Sequence, residues 1–260
     1  MGTVFSATIV HQQPRYARQA AQAAFAELER LEGRLSRFIE ASDISRINRL
    51  KPGQATTVQM DTFDCLQIAL RIQEETGGAF DVAYASCGPA SSVRFTLDER
   101  DHAVRVLAAG VRLDLGGIGK GFALDRMAAL LSEWEIGCAL LCAGNSTVLG
   151  TASPPDLPGW PVIIGTEPDC RRVDLVRGAV SGSGRSVRGH HIIDPRTGRP
   201  ALRRLRAWAT APTAAVADAL STAFMIMSER EISRYCGLHP EVSARVESDT
   251  TPGPVERPGS

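Results

Sequence analysis

The sequence predicts an α+β fold, a single compact domain of mixed sheets with packed helices. Three observations predict it. Runs of strand length and stretches of helical period are interspersed along the 260 residues. No segment repeats at a fixed period, which sets solenoids and propellers aside. No clear linker divides the chain, and a chain of this length buries a sizeable core.

Val4 to Val10 alternates loosely and reads as a first strand. Pro14 opens a long helix whose Phe25, Leu28, Leu31, Leu35 and Phe38 recur every three or four residues as one apolar stripe. Ser42 to Asn48 is polar and reads as a turn. Asp61 to Glu75 is a second amphipathic helix, with Asp61 or Thr62 as N-cap and Gly77-Gly78 as the stop. Val93 to Thr96 and His102 to Leu107 form a hairpin, and Val111 to Leu115 another strand. A glycine-rich loop, Gly116 to Gly121, leads into a helix from Phe122 to Trp134. Cys138 to Leu149 and Trp160 to Gly165 are strands flanking a Pro-rich loop, and Arg172 to Val180 is one more. Ala207 to Ala211 is a strand, and Thr213 caps a helix reaching about Met227. After about Val246 the chain turns to Ser, Thr, Pro, Gly and Glu, so residues 248–260 are predicted to be a disordered tail.

Composition narrows the function classes. Hydrophobic residues make up 43% and charged residues 22%, as in a soluble globular protein. Lys+Arg and Asp+Glu both number 29, so no global charge steers the chain to nucleic acid or an anionic surface. Arginines do cluster from Arg185 to Arg206, but glycines, a proline and apolar residues interrupt them, which suits a loop and strand. No apolar run is long enough for a membrane span. The N-terminus lacks the basic and apolar regions of a signal peptide, so a cytoplasmic location is expected unless a leader was removed. The cysteines are scattered without a Cys-x-x-Cys pair and read as free thiols.

Four segments carry chemistry. Leu113-Asp114-Leu115-Gly116-Gly117-Ile118-Gly119-Lys120-Gly121 lies between a strand and a helix, where glycines let backbone N–H groups approach an anion and Lys120 adds a full charge. Its spacing fits neither a Walker loop nor a dinucleotide fingerprint. A plain strand–helix turn is the alternative. Asp218 and Thr222 lie four apart on a predicted helix, so their oxygens share a face and suit a hard cation such as Mg²⁺. A satisfied hydrogen bond is the alternative, although a buried Asp218 needs some partner. His190-His191 before Ile192-Ile193-Asp194-Pro195-Arg196-Thr197-Gly198 suits a general base or phosphate contact beside a turn, or a surface histidine. Thr76 to Asp81 offers small residues, an aromatic ring and a carboxylate for a stacking pocket, or simply a helix C-cap.

The order of these segments resembles the ApbE family, the FAD:protein FMN transferases, from Met1 to about Glu247. The matching stretches are Met1-Gly2-Thr3, Ser42 to Asn48, Gly78-Ala79-Phe80-Asp81, Asp114 to Gly121 with Asp125, His191 to Gly198, and Ala217 to Ala223. The resemblance implies a T-fold-related flavin-binding domain over residues 1–247. It further implies that Mg²⁺ sits against the FAD diphosphate while a threonine or serine hydroxyl of an acceptor protein takes FMN and AMP leaves. Asp218, Thr222 and a backbone oxygen of the glycine loop, at Gly117, would hold the metal. Lys120, Asp114, Ala79, Phe80, Asp81 and Met1 would contact FAD, and His191 would be the catalytic base or phosphate contact. The chain departs from the family pattern at Ala143-Gly144-Asn145, at Gly182-Ser183-Gly184, at Val82-Ala83 after Asp81, and at Phe38, where a tyrosine is usual. These departures touch flavin orientation and acceptor docking, so an FAD pyrophosphatase and a non-catalytic FAD-binding protein stand as alternatives.

Overall fold

The computed structural model describes residues 3–86, 93–165, 167–168, 170–184, 192–201 and 204–248. Strand β1 (Phe5–Val10) is followed by helix α1 (Pro14–Leu35), whose proline sits in the first turn, where its missing N–H costs nothing. The predicted stripe holds to Leu35. Phe38 lies beyond the helix end and is 82% exposed, its ring 4.4 Å under the Arg37 guanidinium carbon. The segment read as a polar turn is a short buried helix, α2 (Asp43–Ile47), because Ser42 accepts the Ser45 N–H as its cap.

After β2 (Ala55–Thr57), helix α3 (Met60–Glu75) starts one residue before the predicted cap, with Gln59 as N-cap. Asp61 and Thr62 are not its caps. Asp43, brought over by α2, supplies the acceptor instead: its Oδ2 takes the Gln59 N–H at 3.0 Å and the Thr62 hydroxyl at 2.8 Å. The helix stops as predicted. Gly77 and Gly78 adopt φ of +58° and +78°, and Gly78 N–H returns to Gln73 O.

The hairpin of β3 (Phe95–Asp98) and β4 (Ala103–Val106) joins β2 in a small antiparallel sheet ordered β2-β4-β3. Residues 111–115 are not a ladder strand. The Asn48 side chain takes the ladder's place, accepting Leu113 N–H at 2.6 Å and donating to Leu113 O at 3.0 Å.

Helix α4 (Gly119–Glu133) begins inside the glycine loop, earlier than predicted. The stretch read as one strand from Cys138 is a hairpin of β5 (Cys138–Ala143) and β6 (Thr147–Gly150), turned at Gly144 with φ +57°. β7 (Trp160–Ile164) pairs with β8 (Arg171–Leu175) as a separate ribbon. The last predicted strand before the arginine stretch is also two, because Gly178 at φ +114° starts β9 (Gly178–Gly184). The short ladder of β10 (Ile193–Asp194) and β11 (Arg199–Pro200) precedes β12 (Arg204–Ala211). Helix α5 (Ala214–Phe224) has the predicted Thr213 cap. Helix α6 (Glu229–Leu238) and β13 (Ser243–Ser248) were not foreseen, nor were the short strands β2, β10 and β11, and ordered chain extends past Val246. The tail beyond Ser248 lies outside the described residues.

The main sheet is antiparallel, ordered β1-β5-β6-β9-β12-β13. α5 packs on β9 and β12, while α4 packs on α5 and α1, and the core fills the space between. A smaller cluster of Trp160, Ile164, Leu175 and Val180 joins the β7–β8 ribbon to the sheet. Among the described residues no helix is long and apolar enough to cross a membrane, and Cys65, Cys138, Cys142, Cys170 and Cys236 are free thiols.

Candidate functional site

The site forms where α4 and α5 meet at their N-termini. Each helix leaves orphan N–H groups at its start, and each is capped by a carboxylate from the other. Asp125 of α4 accepts Ala214 N–H at 2.7 Å and Ala215 N–H at 2.8 Å, at the start of α5. Asp218 of α5 accepts Gly121 N–H at 3.1 Å, in the first turn of α4. So close a crossing needs glycine at 121: a Cβ there would lie 2.0 Å from the Ala214 carbonyl oxygen. Burial pushes the Asp125 carboxyl up to about 6, against the pull of its two amide donors.

Asp218 is 2% exposed, so its charge requires partners. Lys120 Nζ stands 3.1 Å from Oδ1 and 3.2 Å from Oδ2, and also 3.3 Å from Gly116 O. Ser181 and Thr147 donate hydroxyls to Oδ1 at 3.3 and 3.4 Å. One turn on, Thr222 Oγ1 lies 3.3 Å from Ser183 Oγ, which also meets Ser221 Oγ at 2.8 Å. Strands β6 and β9 thus floor the site with small hydroxyls.

The glycine loop closes the other side. Asp114 Oδ1 accepts Gly116 N–H at 2.9 Å, shaping the turn into α4. Its Oδ2 is held from the rim by Arg37 at 3.2 Å and by the Tyr84 hydroxyl at 3.3 Å. The Tyr84 phenol is raised by burial and by the Asp114 charge. At Gly117 a Cβ would come within 3.2 Å of both Phe80 Cε2 and Thr222 Oγ1, so aromatic ring, glycine loop and α5 hydroxyl meet at one point.

Of the predicted site residues, Phe80, Gly117, Lys120, Asp218 and Thr222 converge here, and Asp114 joins through the loop. Ala79 and Asp81 do not present themselves in the same way. Ala79 is wholly buried, and Asp81, 7% exposed, spends its carboxylate internally. Its Oδ2 pairs with Arg94 Nη1 at 2.9 Å and its Oδ1 accepts Ala83 N–H at 2.7 Å. The same Arg94 nitrogen also donates to Ala83 O at 2.7 Å, so the pair fastens the 81–83 turn beside Phe80. Burial raises the Asp81 carboxyl even so. Met1 and His191 lie outside the described residues.

Sequence reasoning missed Thr147, Arg37 and Tyr84, which no local motif singles out, and gave Ser221 no role although it lies within the Ala217–Ala223 stretch. Ser181 was not singled out and Ser183 entered only within the Gly182-Ser183-Gly184 departure, although both reach α5 from β9, at Asp218 and Thr222. One departure finds its reason in packing. A Cβ at 182 would stand 2.7 Å from the Trp208 ring, so the indole keeps this position glycine. Ala143 is fully buried in β5, ahead of the Gly144 turn.

The oxygen set suits a hard cation. Among the described residues no group of three or more His, Cys, Asp and Glu side chains is placed to hold a metal. A cation bound here would therefore draw on one carboxylate and a hydroxyl, and take its remaining oxygens from backbone, water or a phosphate ligand, as Mg²⁺ commonly does.

A FAD:protein FMN transferase of Treponema pallidum is 25% identical over 87% of this chain and 76% of its own. The FAD:protein FMN transferase of Escherichia coli K12 is 25% identical, covering 92% of this chain and 80% of its own. The flavin transferase ApbE of Vibrio cholerae superposes with a TM-score of 0.82 at 21% identity, over 96% of this chain and 92% of that one. The ApbE protein of Thermotoga maritima gives 0.78 at 24% identity, over 96% and 94%. These two likenesses establish the shared fold. The model of the ApbE family matches residues 1–246, nearly the whole described length, and this chain belongs to the ApbE family.

Proposed function

We propose that this chain, acting as one domain over residues 1–247, transfers FMN from FAD to a threonine or serine hydroxyl of an acceptor protein in a Mg²⁺-dependent reaction that releases AMP. The observation that carries the reading is the convergence at Gly117. An aromatic ring, a glycine loop at a helix N-terminus, a lysine and an Asp–Thr pair surround one point, the parts needed to hold a flavin dinucleotide by its diphosphate. Its curated relatives carry the same activity in their names.

In the proposed reaction the acceptor oxygen forms a bond to the FMN-side phosphorus, and the bond from that phosphorus to the bridging oxygen breaks, so AMP leaves with that oxygen. His191 would take the hydroxyl proton. Asp218, Thr222 and a loop carbonyl would hold Mg²⁺, which when bound neutralises charge on the phosphate oxygens. Lys120 would pair with the diphosphate, and the first-turn N–H groups of α4 would direct their dipole toward it. Asp114 would keep the loop in shape, with Ala79 and Phe80 backing the flavin. Such a site works by positioning and charge compensation, with no covalent enzyme intermediate.

Incubation with FAD, Mg²⁺ and a threonine-bearing acceptor peptide should yield a peptide heavier by FMN together with free AMP. FMN and AMP without peptide modification would instead make the protein an FAD pyrophosphatase. Neither product, with FAD still bound, would leave only binding.

A further inference from the structure

Lys120 sits where a cation ligand set would be used. Its ammonium group touches both oxygens of Asp218 and the carbonyl oxygen of Gly116, at 3.1, 3.2 and 3.3 Å. Asp218 is the carboxylate of this pocket, and it is buried, with its remaining capacity committed to Gly121 N–H, Ser181 and Thr147. A second cation cannot join Lys120 on that carboxylate without strong repulsion, because Asp218 is buried and the other acid near it, Asp125, is spent on the Ala214 and Ala215 amides. The nearest acid on the loop, Asp114, is already engaged by Arg37, Tyr84 and Gly116 N–H.

We propose that Lys120 makes metal binding conditional on a diphosphate, so that the site selects the metal–dinucleotide pair over free metal. This rests on the reading that the pocket takes a divalent cation and the FAD diphosphate. The charges give the reason. Lys120 with Asp218, and Arg37 with Asp114, are each neutral. A divalent cation arriving alone must expel the lysine from its carboxylate and leaves the pocket with a net positive charge. A diphosphate arriving alone brings negative charge toward Asp218 while Lys120 is tied to it. Arriving together they cancel, and the diphosphate gives the displaced ammonium a new partner. Lys120 then moves from carboxylate to phosphate, and Asp218 and Gly116 O pass to the metal. Its side chain is 21% exposed and lies at the pocket edge, so this exchange needs no movement of the helices.

The probe is Mn²⁺, followed by its EPR signal, with ADP as a diphosphate that lacks flavin. Wild-type protein should bind Mn²⁺ weakly alone and at least about tenfold more tightly with ADP, after correction for Mn²⁺–ADP in solution, with the same factor for ADP upon Mn²⁺ addition. In Lys120→Met, Mn²⁺ alone should bind about tenfold or more tighter than to wild type, the size of a lost charge-assisted contact, while the Mn²⁺–ADP pair binds more weakly. These opposite signs are the signature. Equal wild-type Mn²⁺ affinity with and without ADP overturns the proposal, whether or not the variant folds. Unchanged or weaker Mn²⁺ binding to folded Lys120→Met also overturns it. FAD turnover with either of those results leaves the proposed function standing and this inference refuted. The predicted Mn²⁺ pattern without FAD turnover does the reverse.

Discussion

Replacing Gly121 by alanine introduces one methyl group where α4 crosses α5. Its carbon would stand 2.0 Å from Ala214 O, 2.4 Å from Ala214 C and 2.7 Å from Ala215 N, all backbone atoms that no rotamer change can move. Real contacts are essentially never below 3.0 Å, so the helix starts must part by about 1 Å. Parting them stretches the Gly121–Asp218 bond and the two Asp125 bonds together, since all three span the crossing. Overpacking typically costs about 1–3 kcal/mol. Weakening hydrogen bonds to charged, buried carboxylates adds about 1.5–3 kcal/mol. Alanine's better helix propensity returns about 1 kcal/mol. The net expectation is a loss of about 3 kcal/mol, a large share of the roughly 5–15 kcal/mol that a domain possesses. Urea unfolding of Gly121→Ala should show a lower midpoint at unchanged slope, and FAD binding should weaken because Asp218 moves with α5. A midpoint equal to or above the wild-type value would refute the crossing as the reason for this glycine.

Further outcomes follow from other contacts. Arg94→Met should cost about 3–5 kcal/mol in urea unfolding by leaving Asp81 buried without its counter-charge, and Asp81→Asn in the same chain should recover part of it. No loss from Arg94→Met alone would mean the pair stabilises nothing. Gly182→Thr should destabilise by about 1–3 kcal/mol against Trp208, with less cost in a Trp208→Ala background. Additive effects of the two changes would refute the complementarity. Asp125, ordinarily near 3.8, is raised to about 6 in the fold, so the folded chain binds the extra proton between these values. Stability from this group is therefore greatest below about pH 4 and falls as pH rises to about 6, by up to about 3 kcal/mol. Carboxyl NMR showing Asp125 titrating at its ordinary value would remove that slope.

Most helices and strands were legible because their burial is local in period. The stripe of α1, the Gly77-Gly78 stop of α3 and the Thr213 cap of α5 each depend on residues a few positions apart. Helix α6 was legible in principle, since Ser228 and Glu231 form a capping box, but it was not read. What misled were partners distant in sequence. Asp43 caps α3 from another helix, and Asn48 substitutes for a strand along residues 111–115. The strands at 138–149 and 172–180 were each read as one because positive φ at Gly144 and Gly178 leaves no mark in hydrophobic pattern.

The candidate site divides along the same line. By itself the sequence determined which residue types occur in which order: the glycine loop with Lys120, the Asp218–Thr222 pair at helical spacing, and Phe80 after a glycine stop. Those follow from covalent neighbours and period. Only the tertiary structure decided that Asp218 faces Lys120 rather than solvent, that Asp125 and Asp218 cap each other's helices, that Asp81 turns inward to Arg94, and that serines of β9 floor the pocket. A buried charge takes whichever donor the fold brings within about 3 Å, and that donor lies up to 98 residues away in the chain, beyond the reach of any local pattern.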